Sequence, residues 1–266
     1  MSNNIYNVNL HRTPCVFDTW SKYLGAYFTE NGEAVFKLFT FPEVKNVTLE
    51  IKSFKKPLKS FEMLNMGKGI WQLELEAGIV KNLDRYRFVI DYKGELIPVK
   101  DPCSMYQDSY FKWSKIYNHS LFEWTDNDWM CGNISRRISR ISNETNRLSP
   151  VEMLKIYELH IGTLTDEGTF LSAKSQIKRI SEDLRFNAIE IMPVENTYSF
   201  NWGYDGVDKY APNHTYGTPD DLKELINYAH NFGLNVIMDI VPNHIGPDIA
   251  QLHKTGPYTD GDNCFG

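Results

Sequence analysis

The stretch NVIMDIVPNHIGP, residues 235 to 247, places a charge inside an apolar run. Val236, Ile237, Met238, Ile240 and Val241 are nearly continuous, which predicts a strand buried on both faces. Asp239 interrupts the run, and Asn243 and His244 follow directly after Pro242. A carboxylate is expensive to bury unless a partner holds it. Asp239 is therefore either a group with work to do at a strand end or the cap of a turn.

Upstream, TPDDLKELINYAHNFG (218–233) predicts a helix with punctuation at both ends. Thr218 can cap it, Pro219 suits the first turn, Asp220 and Asp221 suit the positive end of the helix dipole, and Gly233 stops it. Leu222, Leu225, Ile226 and Ala229 form its apolar face. Further back, AIEIMPV (188–194) and KIYELHI (155–161) predict two more strands. Between them TFLSAKSQIKRISEDLRFN puts Phe170, Ala173, Ile177, Ile180 and Leu184 on one helical face. Strand, helix, strand, helix, strand predicts a parallel α/β unit. Spacing alone leaves an open doubly wound sheet and a barrel both possible. No Gly-rich phosphate loop follows the first strand, which disfavours a dinucleotide fold.

The first hundred residues follow a different period. NVTLEIK (46–52), IWQLELE (70–76) and YRFVIDY (86–92) alternate apolar and polar residues, with Asn31-Gly32 and Lys93-Gly94 at turn positions. Such short half-buried strands predict an antiparallel β-sandwich over residues 1–105. Residues 106–150 read as a connector. Arg136, Arg137, Arg140 and Arg147 in it leave a phosphate patch open, beside the commoner reading of a solvated link. Residues 151–266 hold the α/β unit.

The 266 residues are 42% hydrophobic and 23% charged, with a net charge of −6. That mild acidity argues against nucleic acid and anionic membrane as partners, since both reward a basic surface. No apolar run approaches the roughly 20 residues of a membrane span. The opening MSNNIYNVNLHRTP lacks an apolar signal region, so a cytoplasmic location is expected and the Asn-x-Ser/Thr triplets at Asn46 and Asn143 read as chance. Cys15, Cys103, Cys131 and Cys264 are scattered, giving neither a zinc ribbon nor a disulfide framework. His160, His214, His230 and Asp239 could be imagined as a metal cluster. However, His230 sits on a helix away from the strand ends, and no HExxH or close His pair occurs. No metal and no cofactor are expected.

In parallel α/β proteins, function collects at the carboxyl ends of the strands. The first predicted strand carries Glu158 and His160. The second runs into a long loop with Tyr198, Trp202, Tyr204, Asp205, Asp208 and Tyr210, and the third ends in the 235–247 segment. Flat rings (Tyr204, Trp202) beside hydrogen-bonding groups (Asp205, Asp239, Asn243, His244) suit a sugar, which presents an apolar C–H face and a rim of hydroxyls. Taken singly, each residue could equally be packing or a turn cap. Glu158 reads as structural.

YELHIGTLTDEGTF, IEIMPV and WGYDGVDKYAPNHTYGTPDDLKELINYAHNFGLNVIMDIVPNH resemble, in order and spacing, the start of the catalytic domain of the α-amylase superfamily, glycoside hydrolase family 13. Within it the likeness is to malto-oligosyltrehalose trehalohydrolases and glycogen-branching enzymes. LGAYF, GIWQLEL, YRFVID and KDPCSMY resemble the immunoglobulin-like, starch-binding-type domain that precedes those barrels. EIKSFKKPLKSFEM stands where such domains often carry Gly-Asp-Phe-Asn-x-Trp. The resemblance implies an immunoglobulin-like sandwich followed by the first three β/α units of a TIM (β/α)8 barrel. It also implies action on α-1,4-glucan or maltooligosaccharide with a retaining mechanism. Asp239 would then hold neighbouring pocket groups, Asn243 would fix its loop, His244 would contact the sugar and Tyr204 would stack on it, with Trp202 and Asp205 flanking.

A retaining mechanism uses two carboxyl groups about 5–5.5 Å apart. In the resembled family these follow later strands, which predicts that they lie beyond Gly266 and that this chain alone is an inactive N-terminal fragment. A non-catalytic glucan-binding protein and one part of a split enzyme, completed by a C-terminal half, are the alternatives. An unclosed three-stranded sheet also predicts an open inner face, including Glu190, Met192, Val236 and Met238 or their alternate neighbours. Residues 151–266 would then be molten alone while residues 20–105 fold independently.

Overall fold

Alternation in the first hundred residues becomes two antiparallel sheets around one core. The computed structural model describes residues 24–110, 113–126, 154–197, 202–246, 252–256 and 258. Strands β1 (Gly25–Phe28), β2 (Ala34–Phe39), β5 (Leu64–Gly67) and β6 (Ile70–Leu75) form one sheet in the order β1-β2-β6-β5. Strands β3 (Val44–Lys52), β4 (Lys59–Glu62), β7 (Arg85–Tyr92) and β8 (Glu95–Val99) form the other, ordered β4-β3-β7-β8. Val47, Leu49 and Ile51 of β3 meet Phe36 and Leu38 of β2 and Phe88 and Ile90 of β7 in a single buried cluster. Lys93 and Gly94 both adopt positive φ, which a two-residue hairpin of this hand requires.

The second sheet runs past residue 105. Ser114–Lys115 forms β9, which pairs with Arg85 and Tyr86 of β7, and Ile116 is fully buried in the sandwich core. The arginine-rich part of the expected connector, with Arg136, Arg137, Arg140 and Arg147, lies outside the described residues.

Three parallel strands follow: β10 (Ile156–Leu159), β11 (Ala188–Ile191) and β14 (Asn235–Met238), in the order β10-β11-β14. A short helix α1 (Ile161–Leu164) follows β10, and α2 (Phe170–Lys178) and α3 (Pro219–Asn231) pack on one face of the sheet. Thr218 accepts the Asp221 N–H while the Asp221 carboxylate accepts the Thr218 N–H, closing the box that starts α3. Gly233, at positive φ, ends it. Helix α2 continues into a π turn over Arg179–Asp183. Phe170, Ala173, Ile177 and Ile180 are buried as the helical period predicts, but Leu184 is 41% exposed. The wider turn, closed by Leu184 N–H to the Arg179 carbonyl, rotates Leu184 off the apolar face.

Two expectations about the sheet need correction. Strand β14 is only half-buried along its length, and Ile240 is 51% exposed. Among the described residues, helices cover one face of the sheet only. Val236 and Met238 pack toward α2 and α3 with Ile189 and Ile191. The uncovered face carries their alternates, with Glu158, Glu190 and Ile237 in register across the three strands. The sequence 195–212 is likewise no simple loop. It folds back as an antiparallel ribbon of β12 (Glu195–Thr197) and β13 (Gly206–Pro212) with an irregular register.

A buried contact joins the sandwich to the α/β unit. Lys100, at the end of β8, lies 2.8 Å from both carboxylate oxygens of Asp208 on β13. Tyr117 donates to Asp220 at the start of α3, and Tyr258 donates to the Phe39 carbonyl of β2 at 2.8 Å. Helix α4 (Leu252–Thr255) adds the Thr255 carbonyl, which accepts the Phe41 N–H at 3.1 Å. Among the described residues, no helix is long and apolar enough to cross a membrane.

Candidate functional site

Trp202, Tyr204, Asp205, Asp239, Asn243 and His244 lie just after strand β14 or between β12 and β13 of the ribbon. Between β12 and β13 the chain turns through Trp202 and Gly203, both at positive φ. A Cβ at Gly203 would stand 2.1 Å from the Pro193 carbonyl, so only glycine fits there. Trp202 has no such freedom, and a left-handed backbone in a bulky residue is strained by about 1 kcal/mol or more. That turn leaves the indole half-exposed, edge-on to His160 with centroids 4.9 Å apart.

Tyr204 follows, and its hydroxyl donates to Asp239 Oδ2 at 3.0 Å. The hydrogen bond to that carboxylate holds the Tyr204 phenol above its ordinary pKa, with Glu158 and Glu190 adding to the effect. Next along the ribbon, Asp205 Oδ1 accepts from His244 Nε2 at 3.2 Å. The ribbon and the segment after β14 are thus tied by two side-chain pairs, Tyr204–Asp239 and Asp205–His244. Asn243, directly before His244 in the chain, is exposed. Tyr198 lies outside the described residues.

The four groups considered for a metal have other partners. His160 hydrogen-bonds Thr163 and Tyr216, and burial lowers its pKa. His214 Nδ1 donates to Asn196 Oδ1 at 2.8 Å, His230 contacts Asp126, and Asp239 accepts from Tyr204. Among the described residues, no group of three or more His, Cys, Asp or Glu side chains is placed to hold a metal ion.

Sequence reading missed the groups that support this wall. Glu195 of β12 and Lys209 of β13 form an ion pair at 2.8 Å across the ribbon, and Lys209 also donates to the Val241 carbonyl at 2.8 Å. Asn196 donates to Asp208 Oδ2 at 2.6 Å, joining the ribbon to the Lys100 contact. The partners are separated by 14, 32 and 108 positions, so no local pattern marks them.

Comparison with known proteins gives a consistent picture. Residues 135–262 match the family described as the catalytic domain of alpha amylase. A malto-oligosyltrehalose trehalohydrolase of Saccharolobus solfataricus is 38% identical over 200 residues, covering 74% of this chain and 31% of the relative. A 1,4-alpha-glucan branching enzyme of Fusobacterium nucleatum is 27% identical over 253 residues, covering 92% of this chain and 38% of the relative. The chain therefore spans about a third of the length of the curated relatives it matches. Among solved structures, a Salmonella typhimurium protein assigned as an alpha amylase is 32% identical, with a TM-score of 0.73. It covers 88% of this chain and 35% of that one. A pullulanase of Bacillus subtilis, solved with maltose, has a TM-score of 0.67 at 20% identity and shares the fold.

Proposed function

Because this chain belongs to the alpha-amylase family, we propose that Trp202, Tyr204, Asp205, Asp239, Asn243 and His244 line the sugar-binding wall of an enzyme acting on α-1,4-glucans, of trehalohydrolase or branching type. The observation that carries this is the pairing of Tyr204 with Asp239 and of Asp205 with His244. The pairs present a ring and a polar rim at one strand end, which is the chemistry a glucose unit needs. In this reading β10, β11 and β14 are the first strands of a (β/α)8 barrel, and the two antiparallel sheets are an immunoglobulin-like domain.

Within that reading the reaction is retaining, which takes a nucleophile and an acid/base about 5–5.5 Å apart. Asp239 is engaged with Tyr204 and acts by fixing the ring and a sugar hydroxyl rather than by attacking carbon. We assign the catalytic pair to residues outside these 266, and the 266-residue polypeptide to binding without turnover. Among the described residues, β10 and β14 each pair with β11 alone, which suits completion by a C-terminal half.

The buried Lys100–Asp208 contact favours a second reading. A chain whose two parts are locked through a desolvated ion pair suits a self-standing glucan-binding protein.

Calorimetric titration of the 266-residue chain with maltotetraose tests the proposal. Binding is expected, with no reducing sugar released and no chain transfer. Tyr204→Ala and His244→Ala should each weaken binding about tenfold or more, as loss of a stacking or charged contact does. Unchanged affinity in both variants would remove these residues from the sugar site. Turnover that is lost in Asp239→Ala would overturn the assignment of Asp239 to binding.

A further inference from the structure

We propose that the Glu195–Lys209 pair is the positioning device of this site, holding the segment after β14 against the ribbon so that Asp239 and His244 meet Tyr204 and Asp205. The inference rests on the site assignment above and adds residues that touch no sugar in it.

Val241 carries the argument. It is 5% exposed and lies midway between Asp239 and Asn243, beyond the last residue of β14. A buried backbone needs partners for both of its polar groups. Here an ion pair faces both. The Val241 carbonyl accepts from Lys209 Nζ at 2.8 Å, and the Val241 N–H faces the Glu195 carboxylate and helps hold its pKa down. Lys209 closes the triangle on Glu195 Oε2 at 2.8 Å. Lys209 from β13, paired with Glu195 from β12, thus gives the Val241 carbonyl the donor that a neighbouring strand would supply in a sheet.

The ribbon is shaped around this contact. A Cβ on Gly206 would stand 2.1 Å from Glu195 Oε2, so the glycine is what lets the carboxylate cross under β13. Three residues later on the same strand is Lys209. On the other side of the contact, Gly246 N–H donates to the Gly206 carbonyl at 3.0 Å. The pair and this backbone bond bracket His244, and the two pairs of the site lie on the same seam. Loosening the seam would separate both at once.

The charged groups facing Glu195 are Lys209 from β13 and His244 from the segment after β14. Burial raises the Glu195 pKa, and Lys209, the Val241 N–H and His244 oppose the rise. Loss of Lys209 removes a group that holds the Glu195 pKa down and should raise it further.

The test uses Lys209→Met, Lys209→Arg and Glu195→Gln in the full 266-residue chain, read by two measurements that need no sugar. Amide exchange over residues 239–246 should quicken about tenfold or more in Lys209→Met and Glu195→Gln while β10 and β11 keep their protection. Lys209→Arg should restore it in large part. The Tyr204 phenol, isolated by difference against Tyr204→Phe in each background, should titrate closer to an ordinary tyrosine in Lys209→Met. Unchanged exchange and an unchanged Tyr204 titration would overturn the inference. So would faster exchange spread evenly over the sheet, which marks a merely structural pair. Maltotetraose titration is run in parallel. A wild type that binds no maltotetraose overturns the glucan reading alone, whereas binding retained at full affinity in Lys209→Met, with the seam unchanged, overturns the positioning role alone.

Discussion

A Cβ on Gly246 would stand 2.3 Å from the Asp205 carbonyl, a backbone atom that cannot swing aside. Gly246→Ala should therefore push the segment after β14 off the ribbon and stretch the His244–Asp205 bond. Overpacking of this kind costs about 1–3 kcal/mol of stability, and maltotetraose affinity should fall with it. Equal stability and affinity in the variant would show that the segment is free to shift. Asp101 gives the residue scale a pH dependence. Its carboxyl is fully buried, accepts from Tyr86 Oη at 2.5 Å, and is pushed up to about 6, chiefly by burial. A carboxyl raised on folding favours the protonated state, so its stabilising share is full below about pH 4 and fades as pH rises through about 6. Asp101→Asn keeps an acceptor for Tyr86 and cannot ionise. Its stability relative to wild type should improve by up to about 3 kcal/mol between pH 4 and pH 7, measured by urea unfolding at each pH. A pH-independent difference would place the ionised carboxylate in a better-solvated site than its burial indicates.

Elements were legible in the sequence wherever one short-range rule governs them. The Thr218–Pro219–Asp221 start and Gly233 stop of α3 are local chemistry, and both are found where the residues point. Removing the cap by Thr218→Ala should lower stability by about 1 kcal/mol, seen as an earlier urea midpoint with unchanged slope. A null effect would mean that tertiary packing alone holds the first turn. What escaped reading depends on partners far away in the chain. The ribbon β12–β13 has an irregular register that breaks the period of two, so alternation could not announce it. The π turn after α2 preserves the apolar positions up to Ile180 and then displaces Leu184, a half-turn effect that a fixed period cannot encode. Motif order marks Tyr204, Asp239 and His244 in the sequence, and the structure brings Tyr204 onto Asp239 and His244 onto Asp205. No motif marks Glu195 and Lys209, since an acid and a lysine 14 residues apart look like any surface pair until Val241 meets them.

At the scale of the whole molecule, the question is whether sandwich and α/β unit fold together or apart. Open outer edges on β10 and β14, among the described residues, argue for a weak α/β unit. The interface argues the other way. Lys100 and Asp208 are 2% and 4% exposed at the side chain, which is burial that neither charge tolerates alone. Asn196, and through it His214, extends the contact from Asp208 into the ribbon that carries Tyr204 and Asp205. Pulling the sandwich away would strand the Asp208 carboxylate beneath that ribbon. Lys100→Ala should accordingly cost about 3–5 kcal/mol, the usual penalty for breaking a buried pair from one side. Lys100→Met with Asp208→Leu should recover most of that loss, because no charge is then left buried. Wild type should unfold in one transition by both tryptophan fluorescence and far-ultraviolet dichroism, and Lys100→Ala should split it in two, with protease cutting the α/β unit first. Two transitions already present in wild type, with early cutting confined to residues 151–266, would mean that the sandwich folds independently and that the interface lends the β12–β13 ribbon little support.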